Sequence, residues 1–157
     1  MKGKLTHINE KGAPQMVDVS AKPVTRRVAK AQAIIDVGEE ILSLIENDEI
    51  VTKKGPVFQT AIIAGVMGAK KTSDLIPLCH PLGLEDCKVE IRVRNQKIVI
   101  DTMAVLEGKT GVEMEALTAA TISALTIYDM CKALSHDIVI EEIKLMEKSG
   151  GKNIFKR

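Results

Sequence analysis

Aromatic side chains are nearly missing from this 157-residue chain, which has no tryptophan, one tyrosine and two phenylalanines. The core must be aliphatic. Stacking platforms for unpaired bases are lacking as well, which argues against single-strand nucleic-acid binding. An excess of one charge sign is also absent: the formal net charge is +1 and acids and bases are dispersed, so no basic stripe suits a duplex. Cysteine is sparse. Cys79, Cys87 and Cys131 are odd in number and show no CxxC spacing, which argues against a disulfide framework or zinc ribbon and fits a reducing cytoplasm. No apolar run approaches the ~20 residues of a membrane span. The first residues, MKGKLTHINEKG, lack the apolar segment of a signal peptide. The expectation is a cytoplasmic protein that engages neither nucleic acid nor membrane.

What the chain does have is an unusual stretch at 108–133, GKTGVEMEALTAATISALTIYDMCKA. It reads as one long helix behind a Gly-Lys-Thr-Gly lead-in. On a helical wheel Glu115, Thr118, Thr121, Thr126, Asp129 and Lys132 share a stripe about 140° wide. A solvent-facing stripe is usually rich in Lys and Glu, whereas this one is mostly threonine. Two readings stand: a largely buried helix with one face lining a polar cleft, or a helix packed all round with an Asp129–Lys132 pair at its frayed end. The two residues lie three apart and so are neighbours on the surface.

In order, residues 1–22 read as an N-terminal arm that docks on the body or on another subunit, with only Met16-Val17-Asp18-Val19 strand-like. Residues 23–47 read as an amphipathic helix, Thr25 capping it and Val28, Ala31, Ile35, Val37, Ile41, Leu42 and Ile45 on its apolar side. Gly38 weakens that helix without stopping it. Lys53-Lys54-Gly55-Pro56 leads into a second helix over about 56–71, with proline suited to its first turn. Lysines before a helix N-terminus predict an anion contact there, and Arg26-Arg27 predict another. Pro77 and Pro81 bracket Cys79-His80 and hold the histidine on a stiff loop. Residues 87–93 and 98–106 read as a hairpin, 136–146 as a further strand. Ser149-Gly150-Gly151 between Lys148 and Lys152 is either a phosphate cradle or a basic tail. Helix, helix, hairpin, long helix and strand make one domain over 1–157. Its fold class is α+β: an antiparallel sheet with helices packed on one face, ferredoxin-like.

Gly108-Lys109-Thr110 looks like the end of a P-loop, but the pattern needs glycine where Met103 stands. No HExxH, GxSxG or metal-ligand cluster occurs; His7, His80 and His136 are far apart. Lysines, a few acids and a held histidine remain, which is chemistry for an anionic substrate worked on by proton transfer. Glu115 and Asp129 share a helix face but are 129 − 115 = 14 residues apart, roughly 21 Å along the axis. Both can serve one reaction only with a long substrate or a site shared between subunits.

The motifs LTHIN (5–9), MVDVS (16–20), KGPVFQTAIIAG (54–65), DLIPLCHPL (74–82), GKTGVEMEALTAATISALTIYDMCKA and KSGGK (148–152) resemble the molybdenum-cofactor biosynthesis protein C family, cyclic pyranopterin monophosphate synthase. The resemblance runs through almost the whole chain. It implies a lyase that converts 3′,8-cyclised dihydro-GTP to cyclic pyranopterin monophosphate with release of diphosphate. It implies Asp129, Lys132, Lys54 and Lys148 as catalytic residues. Leu78, Cys79, His80, Glu113, Met114 and Glu115 would contact substrate, with Lys152 and Arg26 as phosphate candidates. It further implies a homohexamer, a trimer of dimers with sites between subunits. No cofactor is readable, though magnesium could accompany the triphosphate. A non-catalytic nucleotide sensor on the same fold, and a purely structural oligomer module, are the readings from other classes.

Overall fold

The computed structural model describes residues 7–157; the first six residues of the expected arm, with Leu5 and Thr6 of LTHIN, lie outside them. Four long strands form most of one antiparallel sheet: β1 (Thr25–Asp36), β4 (Asp86–Arg94), β5 (Lys97–Gly108) and β6 (Val139–Ser149). Short β7 (Phe155–Lys156) completes the spatial order β4-β5-β1-β6-β7. Helices α2 (Val57–Lys70) and α4 (Glu113–Cys131) cross over between strands and pack on one face. The succession β1-α2-β4-β5-α4-β6 is the ferredoxin-like split β-α-β plan. The minor elements are α1 (Gly38–Leu42), the β2–β3 ribbon (Val51–Thr52, Gly55–Pro56) and α3 (Thr72–Leu75).

The amphipathic helix expected over 23–47 is not there. Residues 25–36 are instead the central strand, paired to β5 along one edge and β6 along the other. Ala29, Ala31, Ala33 and Ile35 are at most 1% exposed, and their alternation is a period of two. The same apolar residues also satisfy a 3.6 period, and alanine favours helix when nothing else decides. Two neighbouring strands decide it here. Gly38, at φ +78°, then stops the strand direction, and its N–H donates to Asp36 Oδ1 at 3.0 Å. Only a five-residue helix follows.

The hairpin and the long helix stand close to their expected positions. Asn95 and Gln96, both at positive φ, make the two-residue turn between β4 and β5, which matches the twist of the strands. The third expected strand starts later and runs further, through Ser149. Residues 16–19 form no strand. Small residues set the layer spacing. Ala116, Ala119, Ala120 and Ala124 of α4 and the alanines of β1 are fully buried, so helix and sheet approach closely. No helix among the described residues is long and apolar enough to cross a membrane.

Helices α2 and α4 touch through glycine. A Cβ at Gly68 would stand 2.7 Å from Ile122 Cγ1, and one at Gly65 would collide with the Ser123 hydroxyl. That hydroxyl is buried and donates to Ala61 O at 2.9 Å, so it cannot turn away without losing a bond. Gly65→Ala is therefore expected to lose roughly 1–3 kcal/mol of stability, read as a lower urea midpoint at unchanged slope. An unchanged midpoint would mean the helices separate freely.

Candidate active site

Chemistry-bearing side chains gather at the two ends of α4. At its C-terminal end Met130 and Cys131 are buried and anchor the last turn, which leaves Asp129 facing outward. The β2–β3 ribbon reaches this spot from 75 residues away in the chain. Lys54 Nζ donates to Asp129 Oδ2 at 2.8 Å and to its backbone carbonyl at 3.0 Å. Lys132 Nζ lies 2.8 Å from Asp129 Oδ1. One carboxylate is thus gripped by two ammonium groups, one on each oxygen. The hydrogen bond from Lys132, followed by that from Lys54, pulls the Asp129 pKa down to about 2, and Lys132 is pushed up by the same carboxylate. The three side chains are 51–56% exposed, so the cluster lies open on the protomer.

At the N-terminal end Lys148 of β6 donates to Glu113 Oε1 at 2.9 Å. Glu115, two residues further along the helix, is only 4% exposed. Burial pushes its pKa up, the Glu113 charge adds to this, and its own backbone N–H offsets part of it. The Cys79 thiol is pushed up too, by burial first and then by the nearby Glu115 carboxylate. A carboxyl with a raised folded-state pKa contributes stability that is present below its unfolded pKa and is lost as pH rises through the folded one. The parent is therefore expected to lose stability as pH rises above the ordinary glutamate range, and Glu115→Gln should flatten that decline, checked by urea midpoints at a series of rising pH values. Parallel curves for the two proteins would refute a buried, perturbed Glu115.

Beside this end lies a cleft of about 660 Å³ between the arm and the Gly150-Gly151 loop. Lys22, Arg27, His80, Lys109 and Lys152 line it. A smaller cavity of about 130 Å³ continues it past Glu113 and Lys148. The arm docks here: Val17 O is 2.8 Å from His80 Nε2, and Lys109 Nζ donates to Ser20 O at 2.7 Å. Gly150, at φ +84°, lets the loop run against β1, where a Cβ would overlap the Arg26 carbonyl.

Asp129, Lys132 and Lys54 are thus brought together, and so are Lys148 and Glu113, with Lys152 adjoining. Leu78, Cys79 and His80 follow α3 on a half-buried loop. Met114 is 37% exposed. Arg26 is exposed and lines neither cleft, whereas Arg27 lines both and donates to the Gly108 and Lys109 carbonyls. Adjacent residues on a strand face opposite ways, so the choice between the two arginines required knowing that β1 is a strand. Lys109 and Lys22 were not singled out either; the failed P-loop match at Gly108-Lys109-Thr110 was the available signal. Of the α4 threonines Thr118 is buried, while Thr121 and Thr126 are half-buried and donate to the Leu117 and Ile122 carbonyls one turn back.

A ferredoxin-like α+β sandwich with a lysine–carboxylate cluster at each end of one buried helix defines the class of protein. The chain belongs to the MoaC family, whose model matches residues 16–151. It is 50% identical, over 96% of its length, to "Molybdenum cofactor biosynthesis protein 1" of Dictyostelium discoideum. It is 49% identical, over 98% of its length, to the protein of the same name from Drosophila melanogaster. The chain spans 27% of the length of each of these relatives.

Proposed function

We propose that this protein acts in molybdenum-cofactor biosynthesis as a cyclic pyranopterin monophosphate synthase. The substrate would be the 3′,8-cyclised dihydro-GTP and the products cyclic pyranopterin monophosphate and diphosphate. The reaction balances as a rearrangement plus loss of diphosphate. The five-membered ring of the base opens, the pterin ring closes, and a ribose oxygen attacks the α-phosphorus as diphosphate leaves. The observation that supports this reading most is Asp129 held between Lys54 and Lys132 at 2.8 Å each in a chain of this family. Asp129 and Lys132 would shuttle protons, with Lys54 and Lys148 assisting at phosphate. Asp129, with its depressed pKa, stays ionised through the working range and holds the ammonium groups ready. Glu115, pushed the other way, is a carboxyl suited to donate a proton, so the two acids are set apart for different tasks.

Leu78, Cys79, His80, Glu113 and Met114 would hold the base and sugar, and Lys152 the phosphates, with Arg27 of the cleft lining in the place first given to Arg26. Among the described residues no group of three or more His, Cys, Asp or Glu side chains forms a metal site; a magnesium ion would be carried by the triphosphate oxygens. The open Asp129 cluster needs a wall, and its distance from Lys148 calls for a second copy. We therefore include a homohexamer, a trimer of dimers, with sites between subunits, working in the cytoplasm as one domain over 1–157. The test supplies enzymatically made cyclic dihydro-GTP to the folded protein and looks for diphosphate and a pterin-type product. If neither forms, the reading fails.

A further inference from the structure

Helix α2 begins without a side-chain cap of its own, because its N-cap residue is Pro56. A helix start leaves its first N–H groups without partners inside the helix. Here they are satisfied from upstream. Glu49 Oε1 accepts from Phe58 N at 2.7 Å and from Ile50 N at 2.8 Å, and Oε2 accepts from Gln59 N at 3.1 Å. Val57 N adds a bond to Ile50 O at 2.8 Å. One carboxylate therefore ties the first residue of the loop 50–58 to the first turn of the helix that ends it. The sequence leads one to expect an anion at this helix start, brought by Lys53 and Lys54. The anion is Glu49 of the chain itself, and Lys54 turns to Asp129 instead.

Within the loop Thr52 bonds the tip, its hydroxyl accepting from Lys54 N at 3.2 Å and donating to Gly55 O at 3.4 Å, but these bonds do not reach the body of the protein. The β2–β3 ribbon has two residue pairs, Val51↔Pro56 and Thr52↔Gly55, and a ribbon that short does not stand alone. Ile50 and Val57 are fully buried and fix the depth of its base. They do not fix the angle at which the ribbon leaves the surface. The charge-assisted bonds from Glu49, at the positive end of the α2 dipole, do. Lys54 sits at the ribbon tip, and whether its ammonium reaches both the carboxylate and the carbonyl of Asp129 depends on that angle.

We infer that Glu49 is the positioning residue for Lys54: by closing the loop 50–58 onto the N-terminus of α2 it sets where the Lys54 ammonium meets Asp129. Its catalytic consequence rests on the proposed role of Lys54, but the geometric claim does not.

The test compares the parent with Glu49→Gln, which keeps the size and one acceptor oxygen and so preserves the fold. Acetylation of individual lysines at neutral pH is followed by mass spectrometry. Lys54 should react roughly threefold or more faster in Glu49→Gln once its ion pair loosens, approaching its rate in Asp129→Asn. Lys144, paired with Glu142, serves as the internal reference and should not change. In the synthase assay kcat should fall about 10-fold with KM nearly constant. Adding Pro56→Ser to Glu49→Gln supplies a local cap. It should recover the melting temperature but not the slow Lys54 labelling. The inference is overturned if Lys54 labels at the parental rate in Glu49→Gln, or if Pro56→Ser restores that rate together with stability. Absence of synthase activity in the parent would instead remove the proposed function and leave the labelling result standing.

Discussion

Asp129→Asn is expected to lower turnover of cyclised dihydro-GTP by about 10²- to 10⁴-fold while the protein stays folded and still binds substrate. The physical argument is local. Asp129 carries two ammonium partners, Lys132 and Lys54, each 2.8 Å from a different carboxylate oxygen. Asparagine keeps the shape but removes the charge that orients both, and leaves the two cations facing each other. Little stability should be lost, because the ion pairs are half exposed and such pairs contribute little to folding. A melting temperature near that of the parent, substrate binding by calorimetry and a collapsed rate constant are the expected trio. A variant that turns over normally would reduce the lysines to a binding device and favour the nucleotide sensor. The acid limb of the rate profile should not come from Asp129, whose pKa lies at about 2. Glu115, with its pKa raised by burial, acts as a proton donor and is lost to catalysis as it ionises, so it should shape the alkaline limb, and Glu115→Gln should remove that contribution.

Two inactive variants should regain activity when mixed within one assembly. Lys148 is tied to Glu113 at the start of α4, and Asp129 lies 129 − 113 = 16 residues further on, roughly 24 Å along the helix. Both groups cannot reach one reacting atom from the same protomer. If one protomer supplies Asp129 and its neighbour Lys148, random co-assembly of Asp129→Asn with Lys148→Ala chains rebuilds about a quarter of the sites. Each variant alone rebuilds none. The measurement is diphosphate release after co-expression of two differently tagged chains and isolation of the mixed species. Mixed assemblies as inactive as their parents would eliminate the shared site.

Much of the fold is legible in the residue pattern. The β4–β5 hairpin follows from two strand-like runs around Asn95-Gln96, and α4 from a long apolar stretch without breakers. The region 23–47 was not legible. Val28, Ala31 and Ile35 satisfy a helical period as well as a strand's, and alanine tilts a local reading toward helix. Of the candidate site, the motif blocks name Asp129, Lys132, Lys54, Lys148 and His80, and the fold brings the first three into one cluster. Arg27 was indistinguishable from Arg26 until the strand set their opposite directions, and Lys109 was obscured by a P-loop pattern that fails at Met103.

The sequence by itself determined the aliphatic core, the α+β class, the hairpin, the long helix and the family, because each is written in contiguous composition or in motifs. Only the tertiary structure decided that residues 25–36 are the central strand, since pairing with β5 and β6 outweighs a local propensity of a few tenths of a kcal/mol per residue. It also decided that Lys54 meets Asp129 and that Glu49 occupies the start of α2. Those contacts join residues 75 and 9 positions apart, and such distances in sequence are bridged only by the packing of the whole chain.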